Sequence, residues 1–250
     1  MWLFRARKGL ITEGVEGCWS PPVALAKANR INRAGEQMLY ASTNPITASG
    51  EIGVLSSGND ERYSLIVYEI VDNMTLSRIG RLVFPPQLEG EMKRTMESVE
   101  KKFLKDSYDQ DSENIEKVKI LNEFLLAVFS GPMEWHPVSQ HICRYFFPLP
   151  HGFDGWLYPC VEHGWEDHNV CLLDAHARAK LNIIEVLTME KKKHKAKPSC
   201  RFARRPKGDR LVRVSQSKTR ERVFGNSPQW GFWRDIGVDY VEEGNVYWPS

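Results

Sequence analysis

One segment near the start of the chain, residues 30–51, combines residue types that core packing does not need: RINRAGEQMLYASTNPITASGE. Arg30 precedes Tyr40 by ten positions, and Glu51 follows Tyr40 by eleven. An arginine offers a planar fork of N–H donors that matches a phosphate group, and a tyrosine can stack on a flat ring. A carboxylate can steady a developing positive charge or hold a ribose hydroxyl. The mixture therefore suits a site that binds phosphate, stacks a ring and stabilises a positively charged sugar.

The same residues also permit a purely structural interpretation. Arg30 and Glu51 would then form a surface ion pair, Asn32 and Gly35 would form a turn, and Tyr40 would belong to the core. Because these residue types are common, spacing alone favours this second interpretation.

Two predicted strands, at 2–7 and 37–42, lie close to this segment in the sequence. After the second strand, Asn44 and Pro45 give a helix-start signal, since Asn caps a helix and Pro fits its first turn. The helix should carry Glu51 and be weak or short, because Gly50 lies beside it.

The rest of the first 188 residues alternates between strand and helix patterns, which favours an α+β fold with a mixed sheet and flanking helices. The predicted strands are 63–72, 153–160, 169–174 and 181–187, the last being taken as the final strand of the core. Helices are predicted at 90–104 and 113–129, with a helix or a turn leading into a strand at 138–147.

Composition indicates a reduced, cytoplasmic protein. The 250 residues carry a net charge of +2 and five cysteines, an odd number that does not suit a secreted disulfide scaffold. No apolar run reaches the roughly 18 residues of a membrane helix, and the N-terminus lacks the apolar core of a signal peptide. We therefore expect no association with a membrane.

Near residue 188 the composition changes, and we place a boundary there between a domain at 1–188 and an extension at 189–250. Residues 191–222 hold fourteen Lys or Arg residues and two acids, so the net charge of this stretch is +12. This stretch suits a solvated, partly disordered tail, a nucleic-acid-binding segment or a surface for a protein partner. It could also fold over an active site. The last 28 residues are rich in aromatic side chains, which more often dock an extension onto a domain than stack on bases.

The 30–51 segment resembles the RES domain, a family named for its Arg, Glu and Ser. That family's pattern is roughly R-x-N-x-x-G-x-x-x-L-Y with a Glu eleven residues later, and the residues that fill it are Arg30, Asn32, Gly35, Leu39, Tyr40 and Glu51. Further elements follow in the family's order along residues 1–188: WLFRAR with Arg5, PVSQ at 137–140, GFDGWLYPC at 152–160, and Asn169 to Leu172. The family's Ser falls on Cys160, where a thiol would be a weaker hydrogen-bond donor.

RES proteins are bacterial toxins of toxin–antitoxin pairs, with a fold similar to ADP-ribosyltransferases. The resemblance implies that this chain consumes NAD⁺ as a substrate, by hydrolysis, phosphorolysis or transfer of ADP-ribose, without a metal ion. Glu51 would stabilise the oxocarbenium-like transition state and orient the ribose. Arg30 and Arg5 would hold the pyrophosphate, Tyr40 would stack near nicotinamide, and Cys160 would line the same pocket. An antitoxin protein is the implied partner, and the oligomeric state stays open.

Other signals leave alternatives. Cys160, His163, His168 and Cys171 have nearly the spacing of zinc ligands, although two strands joined by a polar loop explain them better. His141 and His176 have no Asp or Glu at a sequence spacing that would indicate a functional pair, and both suit structural roles. The main alternative to an enzyme is a non-catalytic RES-like protein that binds nucleic acid or a protein partner through its basic extension.

Overall fold

A nine-stranded mixed sheet forms the centre of the computed structural model, which describes residues 2–79, 112–149, 152–160, 168–194, 198–214, 241–242 and 245–246. In chain order the strands are β1 Trp2–Lys8, β2 Met38–Ser42, β3 Glu61–Ile70, β4 Leu76–Arg78, β5 Gly155–Pro159, β6 His168–Leu173, β7 Leu181–Lys191, β8 Ser199–Lys207 and β9 Arg210–Val214. Their order across the sheet is β4-β5-β6-β2-β1-β3-β7-β8-β9. The pair β4 and β5 is parallel, and the other neighbours are antiparallel.

Helices flank this sheet, so the predicted α+β class is confirmed. The α-helices are α1 Pro45–Glu51, α2 Ser112–Ser130, α3 His136–Tyr145 and α4 Asp174–Lys180, and short 3-10 helices span Val15–Cys18, Val23–Leu25 and Met133–Trp135. Strands β10 Val241–Glu242 and β11 Asn245–Val246 pair with each other outside the main sheet. Within the described ranges, no helix combines the length and apolarity needed to cross a bilayer.

Local sequence signals predicted several of these elements closely. Strands expected at 2–7 and 37–42 are β1 and β2, and the helix expected at 113–129 is α2. Helix α1 starts as predicted, because the side-chain oxygen of Asn44 accepts a 2.8 Å hydrogen bond from the Ile46 N–H. The helix predicted at 90–104 lies outside the described residues.

Both faces of the sheet are covered, because successive residues of a strand point to opposite faces. In β1, Phe4 packs into the apolar cluster under α1, whereas Leu3 packs into the cluster on the other face. Helix α1 is fixed to its face by a 3.0 Å hydrogen bond between the hydroxyls of Ser49 and Tyr63, both fully buried. This bond joins α1 to β3 at Ser49 and adds to the apolar contacts that hold the helix against the sheet.

A third apolar cluster joins α2 and α3 to the β5–β6 part of the sheet. Leu125, Val128 and Phe129 of α2 are buried in it, together with Trp156 of β5. Leu121, one turn earlier, is 52% exposed. Among the side chains of α2 that the structure describes, the buried ones thus lie in its C-terminal half.

The sheet does not end where the sequence suggested. Residue 188 lies inside β7, and β8 and β9 continue the same sheet to Val214. The prediction of 181–187 as the final core strand is therefore wrong, and residues 199–214 are ordered strands rather than a solvated tail. Their charge is partly neutralised by acids of β7, since Arg201 and Arg205 form ion pairs with Glu190 and Glu185.

Strands β1 and β2 lie next to each other in the sheet but barely pair. Within these two fully described strands, Phe4 and Ser42 are the only directly partnered residues. By contrast, β1 pairs with β3 at seven successive positions from Trp2 to Lys8. The sheet is consequently split between β1 and β2, and this split leaves room for a cleft.

Candidate active site

A cleft with a volume of about 380 Å³ opens at the split between β1 and β2. Its walls come from both strands, from α1, from the 21–36 loop that precedes β2, and from β5 and β6. Volumes of this order are typical of small-molecule and cofactor sites. Among its lining residues are four predicted site residues, namely Arg5, Arg30, Tyr40 and Glu51.

Glu51 ends α1 and exposes its side chain to the cleft. Its Oε1 atom accepts a 2.6 Å hydrogen bond from Nδ2 of Asn169. The thiol of Cys160 donates to the same atom at 3.4 Å. Tyr158 lines the cleft nearby, and its pKa is raised well above the usual value, first by burial and then by the charge of Glu51. The tyrosine therefore stays a neutral hydroxyl beside an acidic group.

Asn169 and Ser42 are site residues that the sequence analysis did not identify as such. Ser42 donates a 2.6 Å hydrogen bond to Oδ1 of Asn169, and both side chains are buried. Asn169 was noted only as part of the N-x-x-L element. A signal was present, because an Asn at the start of a predicted buried strand needs polar partners. The sequence does not reveal that the partner is Glu51, 118 residues earlier.

Arg30 is anchored at the end of α2 by backbone acceptors. Its Nη1 donates to the carbonyl oxygen of Phe129 and, at 3.1 Å, to that of Gly131. Unpaired carbonyls at a helix C-terminus carry partial negative charge, which favours a cation there. These bonds replace the surface ion pair with Glu51 of the structural interpretation, and among the described residues the other guanidinium nitrogens form no hydrogen bond.

Helix α3 holds the backbone that carries Arg30. The hydroxyl of Ser139 donates to the Arg30 carbonyl at 2.5 Å, and the amide of Gln140 donates to the Asn29 carbonyl at 2.6 Å. Both residues belong to the PVSQ element, so this element positions the arginine loop. Burial and the charge of Arg30 lower the pKa of His136, which starts the same helix.

Tyr40 is held by the turn that the sequence predicted. Its hydroxyl donates to Oδ1 of Asn32 at 2.8 Å, and the amide of Asn32 donates to three backbone carbonyls of the same loop. Gly35 has a φ of +83°, a conformation that favours glycine, and closes the turn by donating to the Ala26 carbonyl. Burial raises the pKa of Tyr40 well above its usual value, so the hydroxyl is neutral.

Arg5 reaches the cleft from β1. Its Nη1 donates to the carbonyl oxygens of Cys18, at 3.0 Å, and Trp19, at 2.5 Å. The loop after β1 therefore fixes this guanidinium as the end of α2 fixes Arg30. Two partly buried arginines therefore share the cleft with Glu51 and with Glu36, whose carboxylate is paired with Arg144.

Cys160 is fully buried beside Glu51 and is absent from the residues that line the cleft. Its thiol contacts Oε1 of Glu51, a residue that does line the cleft. Of the proposed zinc ligands, Cys171 contacts the sulfur of Met38, and His163 lies outside the described residues. Across the described ranges, no group of three His, Cys, Asp or Glu residues is arranged to hold a metal ion.

His176 has a carboxylate partner after all. Its Nδ1 lies 2.6 Å from Oδ1 of Asp154, while Lys180 donates to Oδ2 at 3.0 Å and the Thr75 N–H donates to the same atom at 2.7 Å. Asp154 is completely buried, and although burial opposes ionisation, these donors hold its pKa below the usual value. The cluster ties α4 to the turns before β4 and β5, which agrees with a structural role for His176.

Comparison with known proteins gives one positive result. A protein-family model described as the RES domain matches residues 3–197. That range covers well over half of the chain and includes every residue of the cleft described above. A search of curated proteins found no match.

Proposed function

The chain belongs to the RES domain family, and we propose that it is an enzyme that consumes NAD⁺ by cleaving the bond between nicotinamide and ribose. RES domains are associated with NAD-related enzymatic activity, and the resemblance described above implies the finer reaction. The observation that supports it best is the carboxylate of Glu51, which is exposed at the wall of a cleft that also holds Arg5 and Arg30.

The proposed reaction suits a fixed carboxylate. When the bond between C1′ of the ribose and the pyridine nitrogen breaks, both bonding electrons leave with nicotinamide, which becomes neutral. Positive charge then develops on C1′ and the ring oxygen, as in glycoside cleavage. A carboxylate already in place stabilises this charge without reorganisation. The oxygen of water or phosphate then bonds to C1′ and loses its proton to solvent.

The other cleft residues match the remaining parts of NAD⁺. Arg5 and Arg30 each use Nη1 for backbone carbonyls, and both line the cleft, where a guanidinium group can bind the pyrophosphate. Tyr40 and Tyr158 offer aromatic surface on β2 and β5. Because the pKa values of both hydroxyls are raised, the rings bring no second negative charge to compete with Glu51.

The biological setting follows from the same family. We expect a toxin that acts in the cytoplasm and is restrained by an antitoxin protein. Under this proposal NAD⁺ is the substrate, and its loss arrests growth. Co-expression of a partner encoded with the chain should relieve that arrest.

Product analysis tests the proposal directly. The purified full chain is incubated with NAD⁺, with and without inorganic phosphate, and the products are identified by mass spectrometry. Free nicotinamide with ADP-ribose indicates hydrolysis, and nicotinamide with an ADP-ribose phosphate ester indicates phosphorolysis. If the folded protein releases no nicotinamide in any of these conditions, and none when a protein acceptor is added, the proposal is overturned.

A second candidate is binding of nucleic acid by the β8–β9 hairpin. Arg201 and Arg205 are used by ion pairs with β7, but Lys207, Arg210 and Arg213 are exposed. Replacing these three exposed cations by Gln tests this without cutting β7. Affinity for a single-stranded oligonucleotide that falls steeply with salt and is lost in the triple variant would support binding. No affinity at low salt would exclude it.

A further inference from the structure

Three side chains from three different elements form one hydrogen-bonded line that ends at Glu51. Ser42 on β2 donates to Oδ1 of Asn169 on β6, and Nδ2 of Asn169 donates to Oε1 of Glu51, each at 2.6 Å. Ser42 and Asn169 are only 2% and 4% exposed. A buried polar line of this kind is stable only when each member has a partner.

The orientation of the Asn169 amide follows from its two neighbours. A carboxylate is an acceptor only, so an amide oxygen at 2.6 Å from Oε1 would place two acceptors against each other. The NH₂ group must therefore face Glu51, which turns Oδ1 toward Ser42. The hydroxyl of Ser42 can rotate to donate, and it completes the arrangement.

The backbone also fixes this line. Ser42 and Asn169 are direct partners in the antiparallel pairing of β2 with β6. Ser42 is also the residue at which β2 pairs with β1, beside the split that forms the cleft. Three neighbouring strands thus hold the Ser42–Asn169 pair in place. The pair gives the Glu51 carboxylate a hydrogen-bond donor in a fixed position on the sheet.

The two oxygens of Glu51 have different surroundings. Both side-chain contacts, from Asn169 and from Cys160, reach Oε1. In the part of the chain that the structure describes, no hydrogen bond reaches Oε2. One oxygen is therefore tied to the sheet, and the other is left to the cleft.

We propose that Asn169, oriented by Ser42, is a positioning residue that holds Oε1 of Glu51 so that Oε2 faces the ribose of the substrate. This inference rests on the proposed cleavage of NAD⁺. According to this proposal, the positive charge that develops on the ribose is stabilised by one atom, Oε2 of Glu51. It also explains how an exposed carboxylate at the end of a seven-residue helix keeps one rotamer.

Kinetics of the full-length protein give the first test. Asn169→Ala should lower kcat about ten- to hundredfold, because it removes a hydrogen bond to a charged group. KM for NAD⁺ should stay within about threefold of the wild-type value. Asn169→Asp should be no better, since it places a second carboxylate against the first. Ser42→Ala should lower kcat less. It should have no further effect in an Asn169→Ala background, because Ser42 acts through Asn169.

Ser49→Ala is the matched control. Ser49 is equally buried and lies on the same helix as Glu51, but its hydroxyl bonds to Tyr63 and to the Pro45 carbonyl. Its kcat should stay near that of the wild-type protein. A similar loss in Ser49→Ala and Asn169→Ala would mean that any disturbance of α1 lowers activity, and would overturn the positioning role.

A spectroscopic test does not depend on turnover. The side-chain NH₂ signals of Asn169, observed by ¹⁵N NMR, should shift and broaden in Glu51→Ala and in Ser42→Ala but not in Ser49→Ala. Unchanged signals in Glu51→Ala would overturn the hydrogen-bonded line. Absence of NAD⁺ cleavage in the wild-type protein would refute the proposed function, whereas full kcat in Asn169→Ala would refute only the positioning role.

Discussion

The sulfur of Cys160 lies 3.4 Å from Oε1 of Glu51 and is completely shielded from solvent. The RES pattern places a serine at this position, so a departure of this chain from the pattern touches its proposed catalytic carboxylate. A thiol is a weak donor, and a hydroxyl at the same place would hold Oε1 more firmly. Because Cys160 is buried and does not line the cleft, its contact with Glu51 agrees with a supporting role better than with direct contact to NAD⁺.

Cys160→Ser should therefore raise kcat for NAD⁺ cleavage, by about two- to tenfold for one strengthened hydrogen bond. Cys160→Ala, which removes the donor, should lower kcat below the wild-type value. Cys200→Ser is the matched control, because this cysteine is also buried but lies on β8, where its sulfur contacts the Phe202 carbonyl. If Cys160→Ser and Cys200→Ser change kcat equally, the contact with Glu51 has no part in the effect.

Glu51→Gln should remove most of the activity while keeping the shape of the cleft. Loss of a group that stabilises transition-state charge costs about 10²- to 10³-fold in kcat, and the affinity for NAD⁺ should change little. The comparison is Glu36→Gln, since Glu36 also lines the cleft but is paired with Arg144 at 2.6 Å. Calorimetric binding of NAD⁺ and initial rates separate the two effects. Equal loss of kcat in both variants would contradict the assignment to Glu51.

Arg30→Lys should weaken both binding and folding. A lysine keeps the charge, but one ammonium group cannot serve the Phe129 and Gly131 carbonyls and also present a fork to phosphate. We expect KM for NAD⁺ to rise about tenfold and the free energy of unfolding to fall by about 1–2 kcal/mol. Arg33→Lys, in the exposed part of the same loop, should change neither quantity. Urea denaturation and steady-state kinetics measure them, and an unchanged KM in Arg30→Lys would argue against contact with pyrophosphate.

The parts of the fold that the sequence predicted well are those with local causes. The Asn44–Pro45 start of α1 depends on contacts within a few residues, and the prediction was accurate. The basic stretch after β7 was misjudged because its neutralising partners lie earlier in the chain. Arg205, for example, is paired with Glu185 through the pairing of β7 with β8, which local composition does not reveal.

The site shows the same division. The spacing of Arg30, Tyr40 and Glu51 led to residues that share one cleft. Their supports were not predicted, because the carbonyl of Phe129 and the amide of Asn169 reach them only through tertiary packing. A motif in the sequence therefore identifies residues that share a cleft, whereas the groups that hold them become visible only in the fold.

Asp154 offers a test of stability that is independent of the cleft. Its carboxylate is fully buried and accepts hydrogen bonds from the Thr75 N–H, Lys180 and His176. Asp154→Asn keeps the size but loses the charge that these donors need, and Lys180 keeps a costly unpaired cation. Because Lys180 and His176 are partly exposed, we expect a loss of about 2–3 kcal/mol at neutral pH.

The pH dependence of this effect has a definite sign. The folded-state pKa of Asp154 is lower than its ordinary value of 3.8, so folding releases protons from this group. Its contribution to stability is therefore complete above about pH 4 to 5 and is lost as pH falls through the folded-state pKa. Urea denaturation from pH 7 to pH 3 measures the free energy of unfolding of both proteins. The difference between the wild-type protein and Asp154→Asn should begin to shrink only below that range. A constant difference between wild type and Asp154→Asn down to pH 3 would contradict a lowered pKa for Asp154.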